Sequence, residues 1–253
     1  MAALIAVVVA QVATAGDSKV YDSKDTKNLT AGEKFEEYAT GWNVEVFGGA
    51  TPFQTGTFRA GTPAGTANLH TDDRINGVAG AKVGYVWNPG WHLADVPVLP
   101  SLDLEGFWTG YQAGSQFKAS GGVAGGPAEF MTNQDIYVVS VDPTVKFQLG
   151  RFRPYVGVGV GAAYLTADGG HVAAGGASTA LAGSSNDFAF ALQGLAGLET
   201  FINKNWSIDI GYKYLSLLNP TFGSQYAGGV PVNTAFPNWY GQHIVTAGIK
   251  FYF

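Results

Sequence analysis

Gln242-His243-Ile244-Val245-Thr246-Ala247-Gly248-Ile249-Lys250-Phe251-Tyr252-Phe253 is the stretch on which the fold turns. With a period of two, His243, Val245, Ala247, Ile249, Phe251 and Phe253 share one mostly apolar face, while Gln242, Thr246, Gly248 and Lys250 fall on the other. A soluble domain rarely ends on such a strand. A closed barrel in lipid does, because its last strand pairs on both sides and its outer face meets hydrocarbon.

The same alternation recurs upstream. Residues 42–49 set Trp42, Val44 and Val46 against Asn43, Glu45 and Phe47. Residues 77–87 set Ala79, Ala81, Val83, Tyr85 and Trp87 against Gly80, Lys82 and Gly84. Residues 99–111 oppose Leu102, Leu104 and Trp108 to Asp103, Glu105 and Thr109. Residues 135–149 oppose Tyr137, Val139, Val141, Val145, Phe147 and Leu149 to Ser140, Asp142, Thr144, Lys146 and Gln148. Pro143 in this run cannot donate to a ladder, so a bulge or irregular pairing is expected there. Residues 152–165 set Val156, Val158, Val160 and Tyr164 against Gly157, Gly159, Gly161 and Ala163. Residues 187–201 set Phe188, Phe190, Leu192 and Leu198 against Ala189, Ala191, Gln193 and Glu199, although Leu192, Leu195 and Leu198 also suit a helix. Residues 206–217 set Trp206, Ile208, Ile210, Tyr212 and Tyr214 against Ser207, Asp209, Gly211 and Lys213. With the terminal run this makes about eight strands of bilayer-crossing length.

The links between these runs alternate in length. Residues 50–76, 112–134, 166–186 and 218–241 form long links, whereas 150–151 and 202–205 are short and 88–98 is intermediate. An up-and-down barrel in an outer membrane has this asymmetry, with long loops outside and tight turns in the periplasm. One face is Val, Ile, Leu, Ala and aromatic throughout, and Trp42, Trp87, Trp206, Phe147 and Phe253 fall at its periplasmic ends as an interfacial girdle. Tyr214, Phe188, Phe190 and Tyr164 begin an upper girdle. The opposite face is Gly, Ala, Ser, Thr, Gln and charge, and a narrow lumen needs such small residues.

Composition agrees. Charged residues make up only 13 % of the chain, and Asp and Glu outnumber Lys and Arg by 19 to 14, so no basic stripe for nucleic acid is present. No run reaches the roughly 18 consecutive apolar residues of a spanning helix. Cys is absent, which excludes a disulfide framework and a lipid-anchored Cys. Residues 1–15 read as an export signal, with an apolar core over 4–10 and Ala13-Thr14-Ala15 as a small-x-small cleavage site. No Lys or Arg precedes that core, so the true start is expected upstream or is misassigned. Residues 16–41 read as a periplasmic leader, in which Thr30 and Glu33 are spaced as a capping box for one short helix.

With about eight strands, an export signal, outward aromatics and the Phe251-Tyr252-Phe253 ending, residues 42–253 resemble the small outer-membrane β-barrel superfamily, including the OmpA-type transmembrane domain and the opacity-like surface proteins. The resemblance implies an all-β, antiparallel up-and-down transmembrane barrel. It also implies that the terminal strand is read by the barrel-assembly machinery, which assigns Ile249, Phe251 and Phe253 to insertion. The chain leaves no room for the peptidoglycan-binding domain that follows the barrel in the two-domain OmpA arrangement, which puts a cell-wall tether in doubt.

The inward acids are Glu45, Asp103, Glu105, Asp142, Glu199 and Asp209, and the inward bases are Lys82, Lys146, Arg153, Lys213 and Lys250. In a narrow barrel such near-balanced charges are expected to pair and close the lumen, with Glu45 set between Lys82 and Lys250. The alternative is a wet lumen in which each is hydrated. No catalytic, cofactor or metal site is expected. His70, His92 and His171 fall in links and His243 at an outward or rim position. The His and Ser two places apart that mark lipid A deacylating barrels are missing, and Asp72 and Asp73 near His70 are a weak metal candidate. Gly157-Val158-Gly159-Val160-Gly161 lacks the helix a dinucleotide loop needs. The Gly, Ala, Ser and Thr-rich segments 119–127, 168–185 and 227–233 suit surface display toward an extracellular partner the sequence does not specify. Phe236, Trp239 and Tyr240 bury against the rim or hold a ligand. The leading reading is a non-enzymatic barrel of the outer membrane with a largely closed lumen, in envelope structure or surface interaction. A narrow porin-like channel for small solutes, a lipid-modifying enzyme and a soluble lipocalin-like binder are the alternatives.

Overall fold

The computed structural model describes residues 40–253 except 63–64, 72–74, 111–115, 124–125, 175–176 and 236–237. The export signal and leader helix therefore lie outside the described residues, as do Asp72, Asp73 and Phe236. The described chain is all-β. Its strands are β1 (Gly41–Thr62), β2 (Gly65–Thr71), β3 (Asn76–Val86), β4 (Trp91–Leu93), β5 (Val96–Gly110), β6 (Gln116–Val123), β7 (Gly126–Phe147), β8 (Phe152–Ala174), β9 (Ala177–Ala182), β10 (Ser184–Phe201), β11 (Trp206–Leu218), β12 (Thr221–Ala227), β13 (Val230–Ala235) and β14 (Trp239–Tyr252).

Eight of them, β1, β3, β5, β7, β8, β10, β11 and β14, pair antiparallel in chain order and close into a ring. Closure leaves no open edge in lipid, which is what the backbone of a membrane-spanning sheet requires. The seam joins β14 to β1 with Val44 opposite Phe251, Glu45 opposite Lys250 and Val46 opposite Ile249, and the Phe253 amide donates to the Trp42 carbonyl at 3.1 Å. β11 has 13 residues, and at roughly 3.3 Å per residue and a tilt of about 40° it climbs about 30 Å, enough to cross the apolar band.

The outer wall carries the apolar phase of every strand. Val46 is 65 % exposed, Val158 61 % and Phe188 75 %, and they belong to a band of exposed Val, Ile, Leu and aromatic side chains that continues around the ring. In water so large an apolar surface would drive association, so its solvent is lipid. The run at residues 187–201 is strand, with Leu192 and Leu198 outward and Leu195 inward, because its even-numbered apolar set has somewhere to go only as a barrel wall.

One expectation holds in part and another is corrected. Pro143 causes no bulge, since β7 pairs with β5 straight through it, opposite Leu102, but the pairing toward β8 is irregular there: the ladder skips Asp142 and Pro143 between the pairs Val141 with Val160 and Thr144 with Gly157, which keep one register. The ring's ladders shift instead between Ala50 and Phe53 of β1 and between Met131 and Asn133 of β7. The correction concerns the long links, which are paired strands. β1, β7 and β8 continue past the membrane ring, and β2, β6, β9, β12 and β13 complete a second eight-membered ring with them. Its seams are short, two residue pairs each at β2 with β6 and at β9 with β12. Gly, Ala and Ser weaken strand propensity, which hid these elements, but the extended edges of β1 and β8 offer unpaired backbone groups that the returning chain satisfies. β8, at 23 residues, climbs about 55 Å at the same rise and tilt, about twice the apolar band. A β-walled tower thus stands on the extracellular side.

Candidate functional site

The lumen is packed in three storeys. The middle one is ionic. Glu45 on β1 lies between its cross-strand neighbours Lys82 on β3 and Lys250 on β14, with Nζ to carboxylate distances of 3.1 Å to each. Lys250 also reaches Glu199 at 3.7 Å and Asp209 at 4.0 Å, and Lys146 meets Glu199 at 3.5 Å. Glu105 pairs with Lys213, whose ammonium also sits over the rings of Phe47 and Phe107, 4.3 and 4.8 Å from their centroids. Tyr155 on β8 reaches over Gly197 of β10 to donate to Asp209 on β11 at 2.9 Å, and its hydroxyl end occupies the space that side chains at Gly197 and Gly211 would need. All these charges are buried, Lys82 the least at 9 % exposure, so no water column runs beside them.

Asp103 and Asp142 are placed differently from the other acids. They stand opposite each other on β5 and β7, and each takes a hydroxyl: Ser101 donates to Asp103 at 3.2 Å, and Ser140 to Asp142 at 3.3 Å. Gln193 adds a 3.4 Å bond to Asp142. Each carboxylate lies over a glycine of the next strand, Asp103 over Gly84 and Asp142 over Gly159, which is why those positions carry no side chain. The two acids and the Lys82 and Lys146 ammoniums border a cavity of about one water molecule's size.

Below the ionic storey is a floor. Arg153 is fully buried, donates to Gln148 Oε1 at 2.7 Å and to the Tyr252 hydroxyl at 3.1 Å, and its guanidinium lies over the ring of Phe201 at 4.8 Å. Tyr252 passes the bond on to Glu199 at 2.7 Å, and Ser207 donates to the same carboxylate oxygen at 2.7 Å. Phe201 and Tyr252 pack with Val86 and Leu99 into a small apolar cluster that shuts the periplasmic mouth.

Above the ions apolar side chains join the polar ones expected along the inner face, where Thr51, Gln54, Thr109, Gln134 and Gln242 are buried. Ile136, Val138, Leu165, Leu215, Leu217 and Ile244 all point inward and are buried, in one cluster with Phe47 and Phe107 below and Phe130, Leu181 and Val232 above. In the tower, Gln225 of β12 donates across the interior to Thr132 of β7 at 3.3 Å. Apolar packing and buried hydrogen bonds therefore fill the interior from the ionic storey into the tower.

On the outer wall Trp42, Trp87, Trp206 and Phe253 are exposed at the periplasmic rim, with Phe147 half-buried among them. Trp42 packs edge-on to Tyr85, and Trp206 lies tilted against Phe251, which in turn meets Phe253 edge-on. Ile249, Phe251 and Phe253 thus form one outward row beside the closing seam. Toward the other rim His243 is outward, shares a 2.6 Å hydrogen bond with the Tyr212 hydroxyl, and stands among Phe53, Tyr214 and Tyr212. Tyr137, Tyr164 and Phe188 form a second stack at a similar height.

The family described as outer membrane protein beta-barrel domain matches residues 1–253. The chain belongs to that family. No curated protein sequence matches it. Among solved structures, Neisserial surface protein A is 15 % identical, with 85 % of this chain and 98 % of that chain covered and a TM-score of 0.42. OprG of Pseudomonas aeruginosa is 15 % identical, at 85 % and 98 % coverage and a TM-score of 0.41. The attachment invasion locus protein of Yersinia pestis is 17 % identical, at 84 % and 99 % coverage and a TM-score of 0.28. This outer-membrane barrel is thus a small antiparallel up-and-down member of a family located in the outer membrane.

Several residues of the barrel's interior escaped the sequence reading. Tyr155, Tyr252 and Phe201 share the phase of Gly157, Lys250 and Glu199, so period two alone would have turned them inward. The upper apolar storey is harder to find, because runs such as Ile136-Tyr137-Val138-Val139 are apolar on both phases and alternation loses its contrast.

Proposed function

We propose that this outer-membrane barrel is a non-enzymatic envelope protein with a closed lumen, acting in envelope structure or in surface interaction through its extracellular tower. The filled interior supports this reading: among the described residues an arginine-aromatic floor, an ionic storey and a largely apolar storey occupy the lumen. The ion pairs lock the strands' register, since Glu45 holds β3 and β14 on either side of β1 at one height. The aromatic girdle sets the barrel's depth in the membrane lipid. The outward row Ile249, Phe251 and Phe253 serves as the signal for the barrel-assembly machinery, and the tower meets an extracellular partner. Liposome swelling tests the closed lumen. Vesicles loaded with the purified barrel should shrink osmotically and stay shrunken in small sugars; swelling at a rate that rises with protein content would overturn the proposal in favour of a solute channel.

A further inference from the structure

The β4–β5 hairpin differs from the two other periplasmic connections. At residues 150–151 the chain turns tightly, with Gly150 at φ 60° and Leu149 bridged to Phe152, and at 202–205 the turn is capped by Asn203, whose side chain accepts from the amides of Asn205 and Trp206. The third connection instead projects as a two-stranded hairpin. Trp91 stands opposite Val98 and Leu93 opposite Val96, so one face carries all four apolar side chains, while His92 and Pro97 face the other way. Trp91 is 61 % exposed and Leu93 66 %. Two strands alone are marginal in water, and this pair leaves its largest apolar groups uncovered.

The apolar face continues an interface that the fold already defines. Along β5, Leu104, Leu102, Pro100, Val98 and Val96 share the outward phase, which is lipid-facing in the ring. The Trp87 amide donates to the Pro100 carbonyl at 2.9 Å, which fixes the height of the girdle on this strand. Val98 and Val96 lie two and four residues past that point, about 5 to 10 Å further toward the periplasm at the rise and tilt of a barrel strand. Headgroups add about 5–8 Å to each side of the hydrocarbon. The hairpin is held in line with the wall, since Val98 pairs with Phe147 and the Gln148 amide donates to the Pro97 carbonyl at 3.0 Å.

We propose that this hairpin is a membrane-surface anchor whose occupant is the headgroup and upper acyl layer of the periplasmic leaflet. Trp91 and Leu93 insert among phospholipid headgroups, while His92 and Asp95 stay in water. The anchor fixes the rotation of the barrel about its axis, because among the described periplasmic connections this hairpin alone extends the apolar wall in this way.

The chain has no cysteine, so a nitroxide can be placed at one site. In the full chain refolded into phospholipid bilayers, the label on L93C should collide with dissolved oxygen in preference to a water-soluble nickel chelate, and the label on H92C should show the reverse. Equal access of the chelate to both sites would overturn the proposal, as would shielding of position 93 from both reagents, which would mean that protein covers the face. Quenching by brominated phospholipid gives a check without labels. Trp91→Phe should remove a lipid-quenchable part of the emission from a chain that still migrates as a folded barrel, and an unchanged quenchable fraction would contradict the anchor.

Discussion

The ionic and apolar storeys of the lumen fill the same eight-stranded ring by opposite means. In the middle, every ring strand but β8, which supplies Tyr155, contributes a charge whose partner stands on another strand, and Lys250 alone serves Glu45, Glu199 and Asp209. One storey higher, Leu215, Leu217, Ile136 and Ile244 fill most of the space by shape, with the uncharged Gln54, Gln242 and Thr109 buried among them. The difference is one of specification. An apolar layer tolerates a slipped register at modest cost, whereas a slipped ion pair leaves an uncompensated buried charge. The charges therefore sit where all eight strands must align, and the apolar layer sits where three of them pass on into the tower.

The contrast can be broken most forcefully at Lys250. Lys250→Met takes a cation from three buried carboxylates, leaving Glu45 to Lys82, Glu199 to Lys146 and Asp209 to the Tyr155 hydroxyl, and urea unfolding in detergent micelles should show a loss of about 3–5 kcal/mol, the usual cost of breaking a buried ion pair. A loss below about 1 kcal/mol would mean that water reaches the storey. In the apolar storey Leu215→Ala should cost about 3 kcal/mol by cavity formation in the same titration, with no new dependence on salt. Gly84→Ala tests the packing inside the ionic storey, because its methyl would meet the Asp103 carboxylate; about 1–3 kcal/mol of overpacking is expected. Smallest of all, the joint replacement Gln225→Leu with Thr132→Val exchanges the hydrogen bond across the tower for apolar contact. It should change the unfolding midpoint by the equivalent of about 1 kcal/mol, since both partners of that bond are removed together and the loss left uncompensated is the Thr132 donation to the Gly169 carbonyl at 3.1 Å.

How much of this was legible depends on contrast between phases. The terminal run alternates cleanly, so β14, the outward row of Phe253 and the placing of Glu45 between Lys82 and Lys250 follow from period two and the order of the strands. Asp103 and Asp142 were equally visible as inward acids, yet their serine partners and the glycines beneath them depend on the register between β5, β7 and their neighbours. The tower was not visible as strands at all. Its segments are rich in Gly, Ala and Ser, and they become strands through the edges offered by β1 and β8, which are contacts between residues far apart in the chain. Ala94 hid the β4–β5 turn for a related reason: it adopts a φ of 54°, a conformation in which a sequence reading expects Gly or Asn.

The account rests on a lumen closed along its length. Recording from the purified wild-type barrel in a planar lipid bilayer tests this directly. It predicts a baseline without steady conductance steps, whereas a stable, ion-selective conductance that scales with the amount of folded barrel would contradict it.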